Sequence, residues 1–99
     1  MVMIRVVDVV GAADTADQGN LLRARILPML RTGGQVRLSF DGVVSATSSF
    51  VNAAFVEVLT SVPFDRFKAQ VKIVDATGQI NEMIRTRMTR AAEILQPAH

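Results

Sequence analysis

The stretch Val36 to Phe55, VRLSFDGVVSATSSFVNAAF, constrains the fold more than any other part of the chain. Gln35 to Phe40 reads as a strand of the kind that packs inside a sheet, Asp41-Gly42 marks its exit into a loop, and Thr47-Ser48-Ser49 gathers three hydroxyls where a helix begins. From Ser48 the apolar residues Val51, Ala54, Phe55, Val58, Leu59 and Val62 recur at helical spacing, while Ser49, Glu57 and Thr60 fall on the opposite side. Polar groups at a strand end and a helix start are also where open α/β sheets usually place a ligand or partner.

The rest of the chain repeats this strand-then-helix alternation. Met3 to Val10 reads as a Val-rich strand buried on both faces and stopped by Gly11. Asp14 or Thr15 can cap a helix over Asp17 to Arg31, whose Leu22, Ile26, Met29 and Leu30 share one arc and which closes at Thr32-Gly33-Gly34. Pro28 inside it deprives the Ala24 carbonyl of its partner and predicts a kink or a split. The helix from Ser48 to Val62 ends at Pro63, Phe64 to Ala69 reads as a connector, and Val71 to Val74 as a third short strand. After the loop Asp75 to Gly78, a helix over Gln79 to Leu95 places Ile80, Met83, Ile84, Met88, Ala91, Ile94 and Leu95 on one stripe ahead of Pro97. The expectation is one small α/β domain over residues 1–99, ordered βαβαβα, with a mostly parallel short sheet, three helices and right-handed crossovers. Three strands leave two open edges, so an added strand from a neighbour or a homodimer contact is a further expectation.

Composition narrows the function. A 99-residue chain that is 49% hydrophobic holds one modest core. Its apolar runs, such as Ile26 to Leu30 with Pro28 inside, fall far short of the roughly 20 residues that span a bilayer. The N-terminus reads as structure and not as a signal peptide, and the expected compartment is the cytoplasm. Cysteine is absent and the one histidine, His99, is the last residue, so no thiol or imidazole is placed to act as nucleophile or base. No enzyme, no cofactor and no metal is therefore expected. Asp8, Asp41 and Asp75 lie near strand ends, where acids can bind a cation, but turn formation is the better reading for Asp41 and Asp75. Eleven basic residues against nine acidic ones, no Tyr or Trp, and five Phe at apolar positions argue against nucleic acid as a partner.

The pattern Leu38-Ser39-Phe40-Asp41-Gly42-Val43 followed by Ser48-Ser49-Phe50, with the small Gly19 in the preceding helix, resembles the STAS-like domains, relatives of the anti-sigma-factor antagonists. In those antagonists a partner kinase phosphorylates the first serine of a segment that falls on Ser48 here. The resemblance implies a bacterial, non-enzymatic signalling module that switches partners, one of them a histidine-kinase-like ATPase. Ser48 and Ser49 are the candidate phosphorylation sites, because added phosphate is tolerated at a helix start. Asp41, Thr47, Phe50 and Asn52 are the candidate partner or ligand surface, Phe50 either packed under the loop or exposed as an anchor. Arg87, which projects inside the apolar arc of the last helix, and Arg90 are secondary candidates for pairing with a partner's carboxylates. The alternative is a small-ligand or nucleotide sensor using the same helix start.

Overall fold

A computed structural model describes residues 2–95; Pro97 and His99 lie outside the described residues. The elements are β1 (Val2–Arg5), α1 (Val6–Val10), α2 (Ala16–Arg31), β2 (Val36–Ser39), α3 (Ser48–Ala54), a 3-10 turn (Val56–Thr60), α4 (Phe64–Gln70), β3 (Val71–Val74) and α5 (Gly78–Leu95). The three strands form one parallel sheet in the order β1-β2-β3, with Val2, Val36 and Val71 in register at one end and Arg5, Ser39 and Val74 at the other. This is the expected α/β class, with five helices instead of three. Both crossovers advance across the sheet in the same direction, so right-handed connections lay their helices over one face. Ile4, Val36, Leu38 and Val71 point into that layer and are buried, while Met3, Arg37 and Lys72 form an exposed row on the other face. No helix among the described residues is long and apolar enough to cross a membrane.

Several expectations are corrected. The strand expected over Met3 to Val10, buried on both faces, ends at Arg5, and Val2 and Met3 are 47% and 55% exposed. β2, its partner, ends at Ser39 in register with Arg5, so a longer β1 would have had nothing to pair with beyond that point. Val6 to Val10 turns helical instead, burying Val6 completely and ending at Gly11 with φ of 73°. The Phe64 to Ala69 connector is the helix α4: Pro63 precedes it, Asp65 lies in its first turn and Lys68 in its last, the charge order that a helix dipole favours. Its Arg66 and Gln70 donate to the Leu30 carbonyl at 2.7 and 3.2 Å, and Gln70 also donates to the Gly34 carbonyl at 2.7 Å, closing the end of α2.

The helix expected from Ser48 to Val62 breaks at Phe55 (φ −122°, ψ −49°) and resumes as the 3-10 turn. Val56, Val58 and Thr60 are β-branched and favour the α-helix weakly, and the break sets Phe55 at the centre of the aromatic cluster. Its ring centroid lies 6.3, 6.5 and 6.1 Å from those of Phe40, Phe50 and Phe67. The predicted stripe Val51, Ala54, Phe55, Val58, Leu59 and Val62 is buried throughout. On α5 the buried stripe is Ile80, Ile84, Met88 and Ala92, whereas Ile94 and Leu95 are exposed, because the end of the helix extends past the layer it covers. α2 runs unbroken through Pro28, whose side chain is exposed, and its start carries a full capping box: Thr15 accepts from the Gln18 N–H at 3.1 Å, and Gln18 accepts from the Thr15 N–H at 3.0 Å.

Candidate functional site

The helix start is built by Thr47. Its backbone is extended, its hydroxyl accepts from the Phe50 N–H at 3.2 Å, and its carbonyl accepts from the Val51 N–H at 3.1 Å. The same hydroxyl donates to the Asp14 carbonyl at 2.8 Å, and the Thr47 N–H donates to the Ala13 carbonyl at 3.0 Å, tying the entry to α2 onto the entry to α3. Capping therefore falls to Thr47 alone. Among the described residues neither Ser48 nor Ser49 uses its hydroxyl in a hydrogen bond; Ser48 is half-buried and Ser49 exposed.

Phe50 leaves the candidate surface. It is 0% exposed and meets Phe55 edge-on at 80°, so its role is packing and not anchoring a partner. The Phe50 to Ala54 backbone lies hard against Gly19 of α2, where any side chain would meet the Phe50 carbonyl. Asn52 is exposed, and its Oδ1 accepts from the Arg87 guanidinium at 3.5 Å. Arg87, which the helical projection sets within the apolar arc, carries its head outward to this contact on α3. Arg90 follows on the same side of α5, and the two arginines line a hollow of about 400 Å³ with Met83.

Asp41 belongs elsewhere. Its carboxylate lies 3.5 Å from Arg5, which is also 3.8 Å from Asp8, so it forms an exposed cluster at the tip of β1 and β2, and among the described residues its carboxylate makes no hydrogen bond or ion pair with Thr47, Ser48 or Asn52. Asp75, the third strand-end acid, accepts from the buried Ser39 hydroxyl at 2.8 Å and holds a left-handed turn at φ of 58°, a conformation that aspartate tolerates. Among the described residues no group of acids is placed to hold a metal.

Two contributors are invisible in the local sequence. Arg23, one turn beyond Gly19 on α2, donates from Nη1 to the Ala53 carbonyl at 2.6 Å and so satisfies the C-terminal end of α3. The only sequence signal is spacing, a small residue followed four positions later by a long cation on the same helix face. Gln79 clamps the loop before α3: its amide donates to the Ala46 carbonyl and accepts from the Ala46 N–H, both at 3.3 Å. The result around Ser49 is a hollow of about 400 Å³ that Ser49 and Asn52 share with Asn20 and Arg23, with Glu57 at its side.

Residues 18–81 match the family model described as a STAS-like domain of unknown function (DUF4325). Comparison with curated proteins and with solved structures gives no match. The matched segment covers more than half of the chain and runs from the first turn of α2 through β2, Thr47 and α3 to the first turn of α5. Because that segment makes up more than half of it, this chain belongs to the STAS-like domain family.

Proposed function

We propose that this protein is a regulatory protein-interaction module that docks a partner through the start of α3 and the adjoining side of α5, and that phosphorylation at the helix start switches the docking. The observation that carries the reading is Ser49. Among the described residues its exposed hydroxyl has no hydrogen-bond partner, and it sits in a hollow with Arg23 and Asn52, the latter held by Arg87. The hollow itself holds one guanidinium, Arg23, and one carboxylate, Glu57, and Arg87 reaches its rim through Asn52. A phosphate adds about −1.5 to −2 of charge and three acceptor oxygens that arginines hydrogen-bond strongly. Changing the charge of a docking patch alters both encounter rate and affinity for a charged partner.

Membership of a STAS-like family supports a non-enzymatic role, and the serine pair Ser48-Ser49, which falls where the anti-sigma-factor antagonists carry theirs although Thr47 and Phe50 depart from their flanking residues, supports a histidine-kinase-like ATPase as the partner. Exposure favours Ser49 over the half-buried Ser48 as acceptor. The small-ligand alternative draws less support, since the Thr47 hydroxyl and carbonyl already occupy the Phe50 and Val51 N–H groups. The test is incubation of the purified chain with such an ATPase and ATP, followed by intact-mass and peptide mass spectrometry. The expected result is one phosphate that disappears in Ser49→Ala, with binding weakened in Ser49→Asp. A chain that binds without gaining mass refutes the switch, and one that neither binds nor gains mass refutes the docking itself.

A further inference from the structure

β3 closes one side of the sheet, and among the described residues no strand pairs with its outer edge. The Phe40 N–H donates to the Val74 carbonyl at 3.0 Å, so Val74 and, two residues back, Lys72 turn their backbone groups toward β2. Alternation turns those of Val71 and Ile73 the other way. The Val71 N–H is taken by the Phe67 carbonyl at the end of α4, which leaves the Val71 carbonyl and both groups of Ile73 facing outward, a template for one more strand.

Beside this edge, between α4 and α5, lies a groove of about 470 Å³ whose apolar lining includes Phe67, Val71, Ile73, Ile84 and Met88. Of the charged side chains around it, Arg85 pairs with Glu82 and Lys68 lies 3.8 Å from Asp65, so among the described residues the unpaired charge at this edge is that of Lys72. On the opposite face of β3, Lys72 stands in register with Arg37 of β2, and among the described residues neither has a carboxylate within salt-bridge distance. Like charges side by side on a sheet destabilise it, and an acid placed above them relieves the repulsion.

We infer that the free edge of β3 accepts an extended segment of a partner protein as a fourth strand, and that this segment alternates apolar and acidic residues. Strand pairing puts alternate side chains on opposite faces, so one set enters the apolar groove and the other lies beside Lys72, with Arg37 one strand further in. The edge shares no residue with the Ser49 hollow, and the inference stands or falls separately from the switch proposed there.

The test uses isotope-labelled full chain and a decapeptide alternating Val and Glu, read by fluorescence anisotropy and amide chemical shifts. Two further peptides carry Lys in place of Glu, or N-methyl groups on the edge that faces β3. The expected result is binding of the acidic peptide with shifts at Val71 to Val74, weakening with salt. It should bind about tenfold more weakly to Lys72→Glu, whose charge reversal in turn admits the Lys peptide. Lys72 is exposed, so an unchanged melting temperature confirms that this variant folds. Absence of binding, equal binding of the N-methylated peptide, or indifference to Lys72→Glu overturns the inference. So does a concentration-dependent dimer with protection at the same amides, which assigns the edge to a second copy of the chain.

Discussion

One methyl group at position 19 tests the contact on which the α3 start rests. A Cβ at Gly19 would lie 2.5 Å from the Phe50 carbonyl oxygen, 2.7 Å from the Ala53 Cβ and 3.0 Å from the Ala54 nitrogen. All three are backbone or first side-chain atoms that no rotamer change can move. Ordinary contact distances begin near ~3.5 Å, so α2 and α3 would have to part by roughly 1 Å. Such overpacking costs about 1–3 kcal/mol, and the shift also strains the 2.6 Å bond from Arg23 to Ala53. Helix propensity acts the other way, favouring Ala over Gly by about 0.8–1 kcal/mol. Gly19→Ala should therefore lose up to about 2 kcal/mol net, which in a domain of this size lowers Tm by up to about 8–16 °C. The assay is thermal and urea unfolding followed by circular dichroism. Gly78→Ala is the control, since an added Cβ there meets nothing within 4 Å and its Tm should hold or rise. The sign decides the matter: a Gly19→Ala variant that melts higher than the parent would show that α2 and α3 are not packed as described.

Two more outcomes follow from the same region. Thr47→Ala removes a hydroxyl that serves both Phe50 and Asp14, so it should cost about 1–2 kcal/mol in urea unfolding and speed hydrogen exchange at the Phe50 amide, with Thr47→Ser recovering most of the loss. Pro28→Ala restores a donor for the Ala24 carbonyl inside an unbroken helix and gives back some unfolded-state entropy, for a net gain of about 2 kcal/mol; a lower Tm would mean that the exposed proline ring contributes packing of its own.

Local signals were legible and long-range ones were not. The Asp41-Gly42 exit, the Thr-Ser-Ser start and the stripe from Val51 to Val62 are read from neighbours in the chain, and each is found where the spacing puts it. Val6 to Val10 is a different case. Val6, Val9 and Val10 satisfy a helical face, and the same run reads as a continuous apolar strand. The length of β2, more than thirty residues away, decides between them. α4 is seven residues long and depends on Arg66 and Gln70 reaching a carbonyl 36 and 40 positions back. Nothing near Phe64 announces that. The same limit holds at the site: the serines were visible, whereas Arg23 and Gln79 matter through backbone atoms 30 and 33 residues distant.

The chemistry of the α3 start follows from how its three hydroxyls are divided. Thr47 both donates and accepts, to Asp14 and from Phe50, so its oxygen is held by the fold. Phe50, three residues later, is wholly buried and fixes the same turn from below. Between these two anchors Ser48 and Ser49 form part of a first turn whose geometry they do not themselves maintain. A modification of Ser49 can therefore change the charge of the surface without breaking a hydrogen bond or shifting a core side chain. Had a serine served as the cap, phosphorylation would have removed the bond that begins the helix, and switching would have cost stability. Placing the cap on threonine leaves the hydroxyl two residues on out of the hydrogen bonding that builds the helix start among the described residues.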